Sequence, residues 1–389
     1  MSTAALTHTA ATHWNLRPGV TYLNHGSFGP SPASVLTAKH AWQRALDEEP
    51  MDFFTRQLEP AYAQTCEALG QMLETNPSNL VLVDNATAGM NVIADSFPLE
   101  ENQQVILPTH EYGAVERIWK RRCQEKKALL VPARLPARIE SIEQVIDAIF
   151  AVATRQTKLL VVSHITSATA ITLPIAEIAA EAKRRGIAVA VDGPHALVQV
   201  DVHPEKLGVD YYTASCHKWM CAPLGSGCLW VAPQWHATIR VPQLSWGRLL
   251  PEDRLTWRDE FLWGGTRDYG SWLGIAAAIE FWKQIGVETF REHARRLSHY
   301  TREKLAPLVE GTPITPAGEP WNLSMVHLPI RFGDRRVLQA KLFEVGQIEV
   351  PIVEFEGRRF IRVSHHLYNN ASQIDHLAAV LKKLLDEGF

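Results

Sequence analysis

From about Leu80 to Ala232 the chain alternates short apolar or β-branched runs with stretches whose apolar residues recur at helical spacing. The runs are VLVD (81–84), QVIL (104–107), ALLV (128–131), KLLVVSH (158–164), IAVAVD (187–192), VDYYTAS (209–215) and SGCLWVA (226–232). Near-continuous apolar runs belong to strands covered on both faces, and the helical stretches between them supply the cover. The pattern predicts an α/β architecture with a mostly parallel, seven-stranded sheet and flanking crossover helices. Punctuation agrees, since Pro174 stands at a first turn before IAEIAAEAKRRG and Gly186 stands at its stop.

After WGGT (263–266) the pattern changes. Two long helical stretches, about 268–284 and 287–309, precede the Pro/Gly-rich TPITPAGEP, strand-like NLSMVHLP, a helix, RFIRVSH and a final amphipathic helix. This predicts a smaller α+β C-terminal domain. The expected division is an N-terminal segment, 1–24, packing with the small domain, a large domain, 25–265, and the small domain, 266–389.

At 389 residues the chain exceeds what one hydrophobic core usually spans. Its formal charge of -3 is dispersed, which argues against a nucleic-acid partner. The five cysteines (Cys66, Cys123, Cys216, Cys221, Cys228) show no CxxC pair and no His/Cys metal spacing, so they are expected to be free thiols in a reducing compartment, with no metal. MSTAALTHTAATHW lacks the basic leader and apolar run of a secretion signal, and no later stretch is long enough to span a bilayer. A soluble, cytoplasmic protein without a membrane partner is expected.

In an open α/β sheet, ligands bind beyond the carboxyl ends of the strands, so the polar residues that follow each apolar run are the candidates. They are Asp84-Asn-Ala-Thr-Ala-Gly-Met90, Thr109-His-Glu-Tyr-Gly113, Ser163-His-Ile-Thr-Ser-Ala-Thr169, Asp192-Gly-Pro-His-Ala196, and Ser215, His217 and Lys218. Each has an ordinary explanation alone: Thr87 as an N-cap, Asp192 as a turn residue, Tyr112 as core packing, Lys218 as a solvated side chain. At one end of one sheet they match the needs of pyridoxal phosphate chemistry, which are an amine for a Schiff base, a carboxylate for a pyridinium nitrogen, and donors for a phosphate. Lys218 must lose its proton to attack an aldehyde, and partial desolvation beside a cation favours that. Asp192 must stay ionised to keep the ring nitrogen protonated.

TYLNHGSFGPSP (21–32), DNATAGMN (84–91), THEYGAV (109–115), VDGPHAL (191–197), SCHKWMCAPLGSGCLWV (215–231), WGGTRDY (263–269) and RVSHHLYN (362–369) resemble, nearly end to end and in order, the class V aminotransferases of the type I pyridoxal phosphate fold. Within that family the chain looks most like the isopenicillin N epimerase-like branch, which includes ergothioneine-pathway carbon–sulfur lyases. The resemblance implies that Lys218 anchors pyridoxal 5′-phosphate, Asp192 pairs with the ring nitrogen, and Tyr112 stacks on the ring. His195 and Ser167 would lie near the ring hydroxyl. Ala86, Thr87, Ser215 and His217 would hold the phosphate, and Thr266 would reach it from the other subunit of a homodimer with shared active sites. Arg362 would bind the substrate α-carboxylate, a role suited to its bidentate fork, and Asn24 and His25 would line the substrate entrance.

The substrate is expected to be an amino acid or small peptide attacked at its α-carbon. A persulfide-forming desulfurase needs a cysteine on a loop of the small domain, and residues 229–389 contain none. An epimerase needs a second proton donor, for which Tyr112, His25, His365 and His366 are candidates. A β-eliminating carbon–sulfur lyase needs an acid for the leaving sulfur, and Tyr112 could serve there too. No local feature speaks for or against a transaminase. A silent scaffold would have little reason to keep Lys218 with Asp192 and Arg362. An ordinary nucleotide-binding protein would carry GxGxxG or GxxxxGK[ST], and neither is present.

Overall fold

The computed structural model describes residues 11–245 and 256–389. The extreme N-terminus, on which the leader reading rests, and the middle of the stretch before WGGT lie outside the described residues. A short first strand, β1 (Thr21–Tyr22), precedes the main sheet. That sheet is built from β2 (Leu80–Val83), β3 (Gln104–Pro108), β4 (Leu129–Ala133), β5 (Thr157–Ser163), β6 (Ala188–Asp192), β7 (Tyr211–Ser215) and β8 (Gly227–Val231). The expected seven-stranded, mostly parallel sheet is therefore observed, with each strand within two residues of its apolar run. The spatial order is β2-β8-β7-β6-β5-β3-β4, and β8 alone runs antiparallel to its neighbours β2 and β7.

Both faces of the sheet are covered, which is why its strands are apolar at successive positions. Leu80 and Leu82 join one core with Tyr62, Leu69 and Trp272, while Val81 and Val83 join another with Met90, Ile93 and Trp119. A second sheet, ordered β11-β12-β9, is formed by β9 (Met325–Ile330), β11 (Ile352–Phe355) and β12 (Arg358–Ser364). It is antiparallel and backs onto a third core that includes Leu338, Leu342, Ile374 and Leu381. β10 (Ile348–Glu349) pairs in parallel with β1, and Ser364 N–H donates to Leu23 C=O, so the segment after β1 is stitched to the C-terminal sheet. This stitching carries Asn24–Gly29 to the mouth of the main sheet.

The helix Ala86–Ser96 leaves β2 and lies directly on β7. It approaches so closely that a Cβ built on Gly89 would fall inside the contact radius of Thr213. Gly89→Ala should therefore push the helix from the sheet and cost about 1–3 kcal/mol, the usual penalty for overpacking a filled core. Denaturant unfolding of the two proteins checks this, and equal midpoints would contradict it.

Candidate active site

The expected strand-end residues converge on one cavity of about 360 Å³. Asn85, Ala86 and Thr87 follow β2, Tyr112 follows β3, Ser163 to Ser167 follow β5, Asp192 to His195 follow β6, and Ser215 to Lys218 follow β7. Gly26, Ser27 and Phe28 close it from the stitched N-terminal side.

One end of the cavity is built to take an anion. Asn85 caps the helix Ala86–Ser96 by accepting from Ala88 N–H at 2.9 Å, and Ser215 Oγ accepts Ala86 N–H at 3.0 Å. The cap is thus Asn85 rather than Thr87, whose own N–H remains the open donor of this first turn among the described residues. The helix dipole adds positive potential at the same place. His217 stands across from it, its Nδ1 donating to Ser226 C=O at 3.1 Å, which turns its other nitrogen away from that loop.

At the centre lie Lys218 and Asp192. Burial pushes the Lys218 ammonium down from its ordinary range and the Arg362 guanidinium pushes it further, while Asp192 pulls it back. Burial pushes the Asp192 carboxyl up, and Lys218 offsets this in part. Asp192 is buried, yet among the described residues its carboxylate receives no hydrogen bond. A protonated ring nitrogen is the donor it lacks, and an aldehyde is the partner of a lysine whose ammonium is pushed down to about 8. With the Thr87 N–H and hydroxyl and the Ser215 and His217 side chains at the anion end of the cavity, the residues present fit pyridoxal 5′-phosphate. Tyr112 is 48% exposed, so core packing does not explain it; its ring faces the cavity.

A second carboxylate stands behind Asp192. Glu111 accepts Ser163 N–H at 2.5 Å and Ser163 O–H at 2.7 Å, and Ser163 is the register partner of Asp192 between β5 and β6. This clamp ties the residue preceding Tyr112 to the neighbouring strand end. Burial, with the charge of Asp192, pushes Glu111 up to about 8.

Arg362, on β12, is buried and has no carboxylate partner among the described residues. Its fork donates to Ser167 C=O and, at 2.7 Å, to Ser27 Oγ, and its Nε has no partner. A guanidinium held in this way lacks an anion. Burial lowers it to about 10, so it stays charged at neutral pH.

Two expected groups lie elsewhere in the chain. His25 is fully buried and does not line the cavity. It stacks on His366 at 4.0 Å, takes the Tyr368 hydroxyl on Nδ1 at 2.8 Å, and donates from Nε2 to the Lys218 carbonyl at 3.2 Å. Gly29 makes room for this, since a Cβ there would stand 2.7 Å from His25 Nε2 and 2.8 Å from the Lys218 carbonyl. Asn24 is set back with its Oδ1 buried and unpartnered. His25, Cys221 and His366 bring metal-type donors within 4.8 Å of one another. A histidine that donates from Nε2 has no lone pair there for a cation, so the cluster acts as a hydrogen-bonded floor beneath the lysine segment. Thr266 lines a separate cavity of about 430 Å³ near Asp84 and Arg267.

Sequence reasoning missed Glu111, Ser27 and Trp219 as parts of the site. Glu111 and Trp219 sat inside quoted motifs, and a charged residue after an apolar run was a signal that could have been used.

Comparison with known proteins gives the family. The model of the family described as Aminotransferase class-V matches residues 31–377. The chain is 33% identical over 387 residues to an isopenicillin N epimerase of Amycolatopsis lactamdurans, covering 95% of this chain and 96% of that protein. It is 28% identical to a putative L-cysteine desulfhydrase 1 of Oryza sativa subsp. japonica, covering 95% and 84%. A solved complex of the cystine C-S lyase C-DES with its reaction product cysteine persulfide superposes with a TM-score of 0.81 at 21% identity, covering 94% and 97%. The fold is shared with that structure.

Glu111 gives the cofactor-free protein a pH signature. Its carboxyl titrates near 8 when folded and at about 4.3 when unfolded. Between those values the unfolded chain releases a proton that the folded chain keeps, so this group's contribution to stability falls as pH rises from about 4 to 8. Glu111→Gln removes the slope and should gain about 1–3 kcal/mol on wild type at pH 8 relative to pH 5. Denaturant melts at the two pH values measure this, and an equal difference at both would contradict it.

Proposed function

Since this chain belongs to the class V aminotransferase family, whose cofactor is pyridoxal 5′-phosphate, we propose that it acts at the α-carbon of an amino acid or small peptide as an isopenicillin N epimerase does. The observation that carries this is the meeting of Lys218, Asp192 and Arg362, three ionisable groups drawn out of water without full compensation from one another.

When bound, the cofactor withdraws electrons from the substrate α-carbon. Asp192 would accept the ring N–H and keep that nitrogen protonated. Thr87, Ser215 and His217 would hold the phosphate, with Ala86 providing the helix start they depend on, and Ser167 and His195 would serve the ring hydroxyl. Arg362 takes the substrate α-carboxylate in the bidentate geometry its planar fork favours. Lys218 Nζ would hold the cofactor and, when its amine is free, would be the base for the α-proton. Inversion then needs a second group that can hand a proton back.

The structure narrows that choice. His365 is buried and spends Nε2 on Thr301 at 2.7 Å, His366 faces Cys221 at 3.5 Å, and His25 is used as described above. Of the four candidates, Tyr112 is the one that lines the cavity. We assign the second proton to its hydroxyl. The desulfhydrase relatives favour a second reading, β-elimination of a sulfur leaving group, in which Tyr112 protonates the sulfur. The described cysteines are all buried, and none follows Cys228, which leaves no cysteine for a persulfide carrier on the small domain.

The division at 24/25 and 265/266 is proposed here as well, supported by the β1–β10 pairing and by the separate core behind the C-terminal sheet. A homodimer is proposed because Thr266 stands outside the cavity of its own chain, and because Phe28, 69% exposed, and Leu224, 59% exposed, leave apolar surface near the cavity and the Lys218 loop for a partner to cover. No helix of the described residues is long and apolar enough to cross a membrane, and the reduced cysteines support a cytoplasmic setting.

Amino acids, small peptides and cysteine S-conjugates screened in deuterated water with NMR detection should show α-deuterium incorporation with inversion. Pyruvate with ammonia would select the elimination reading, and no reaction at any α-carbon would refute both. Tyr112→Phe should slow inversion by about 10²–10⁴-fold while leaving cofactor binding intact. Unchanged inversion in that variant would remove Tyr112 from the role.

A further inference from the structure

We propose that Trp219 is a positioning residue that locks the His195 imidazole in the tautomer that holds Lys218 as a free amine. This rests on the assignment of Lys218 as the cofactor anchor. The inference follows from two hydrogen bonds in series. Trp219 Nε1 lies 3.1 Å from His195 Nδ1, and His195 Nε2 lies 3.3 Å from Lys218 Nζ. An indole N–H can only donate, so His195 Nδ1 must present a lone pair. A neutral imidazole carries one N–H, so that proton is on Nε2, aimed at the lysine.

An N–H donor facing Nζ suits an amine, which has a lone pair, and opposes an ammonium, which has none. The remaining possibility, an imidazolium, would set its Nδ1–H against the Trp219 N–H. It would also place a charge in a fully buried ring beside Lys218, Arg362 and His25. Trp219 and His195 are both without solvent exposure, and Gln199 holds the His195 carbonyl at 2.6 Å, so the arrangement has little freedom to relax. The charged and titratable groups around Lys218 divide. Asp192 favours its ammonium, Arg362 disfavours it, His217 adjoins it in sequence, and His25 meets its carbonyl. The Trp219–His195 relay adds to the side of Arg362.

The device explains why a tryptophan adjoins the anchoring lysine. Its ring packs on Phe290 and His25 while its single polar atom is used to orient the imidazole. Phenylalanine could fill much of the space and could not orient the ring.

The test uses cofactor-free full-length protein mixed with pyridoxal 5′-phosphate, with capture followed by visible absorbance across pH. In Trp219→Phe, His195 can move its proton to Nδ1 and accept from an ammonium. The midpoint of the capture profile should then rise by about one pH unit, and capture near pH 7 should slow about tenfold. A midpoint equal to wild type would overturn the proposal. Lys218→Ala runs alongside: if it still captures cofactor, the anchor assignment fails, whereas a silent Lys218→Ala with an unshifted Trp219→Phe sinks only the relay. Should Trp219→Phe not fold, nitrogen-15 histidine spectra of the wild type, with the His195 signal assigned from His195→Gln, read the tautomer directly. A proton on Nε2 supports the relay, and a proton on Nδ1 contradicts it.

Discussion

The cost of holding charge out of water governs this molecule. Lys218, Asp192 and Arg362 come from the turn after β7, the end of β6 and β12, and the fold buries Asp192 and Arg362 and half-buries Lys218 without closing them into a neutral network. A buried charge without a partner costs several kcal/mol, so the cavity lined by Lys218 and Asp192, with Arg362 bonded to its lining residues Ser27 and Ser167, is a place where an ionic ligand offsets that cost. On the proposed reading a ring cation answers Asp192, an aldehyde answers Lys218, and a carboxylate answers Arg362. These are three parts of one cofactor and one amino acid substrate.

The surroundings maintain that imbalance. The segment after β1 is pinned to β12 through Leu23 and Ser364, and its glycines let His25 reach the lysine carbonyl. Glu111 fastens the Tyr112 segment to Ser163 at the next strand end. Trp219 orients His195. Each group fixes another side chain or backbone atom, and each draws on a part of the chain far away in sequence. The helix Val287–Leu305 also shapes the surroundings, since its Thr301 and Ser298 hold His365 away from the cavity.

That distance explains what could and could not be read in advance. The seven strands were legible because burial on both faces leaves a continuous apolar run, and the strand-end residues were legible because the ligand side of a parallel sheet is fixed by chain direction. Lys218, Asp192 and Thr87 follow from that rule alone. His25 was misplaced because its motif tells where the chain passes and not which way the ring turns; its stacking on His366 joins residues 341 positions apart in the chain. Glu111 was overlooked because its partner, Ser163, lies on another strand. The N-cap is Asn85 rather than Thr87 because the helix starts two residues earlier than a Thr87 cap implies.

The central claim is that Lys218 carries pyridoxal 5′-phosphate in a pocket where Asp192 supplies the counter-charge. Borohydride reduction of the holoprotein followed by peptide mapping tests it most directly. A single phosphopyridoxyl group on Lys218 is the result this account requires; modification at a different lysine, or none, would contradict it.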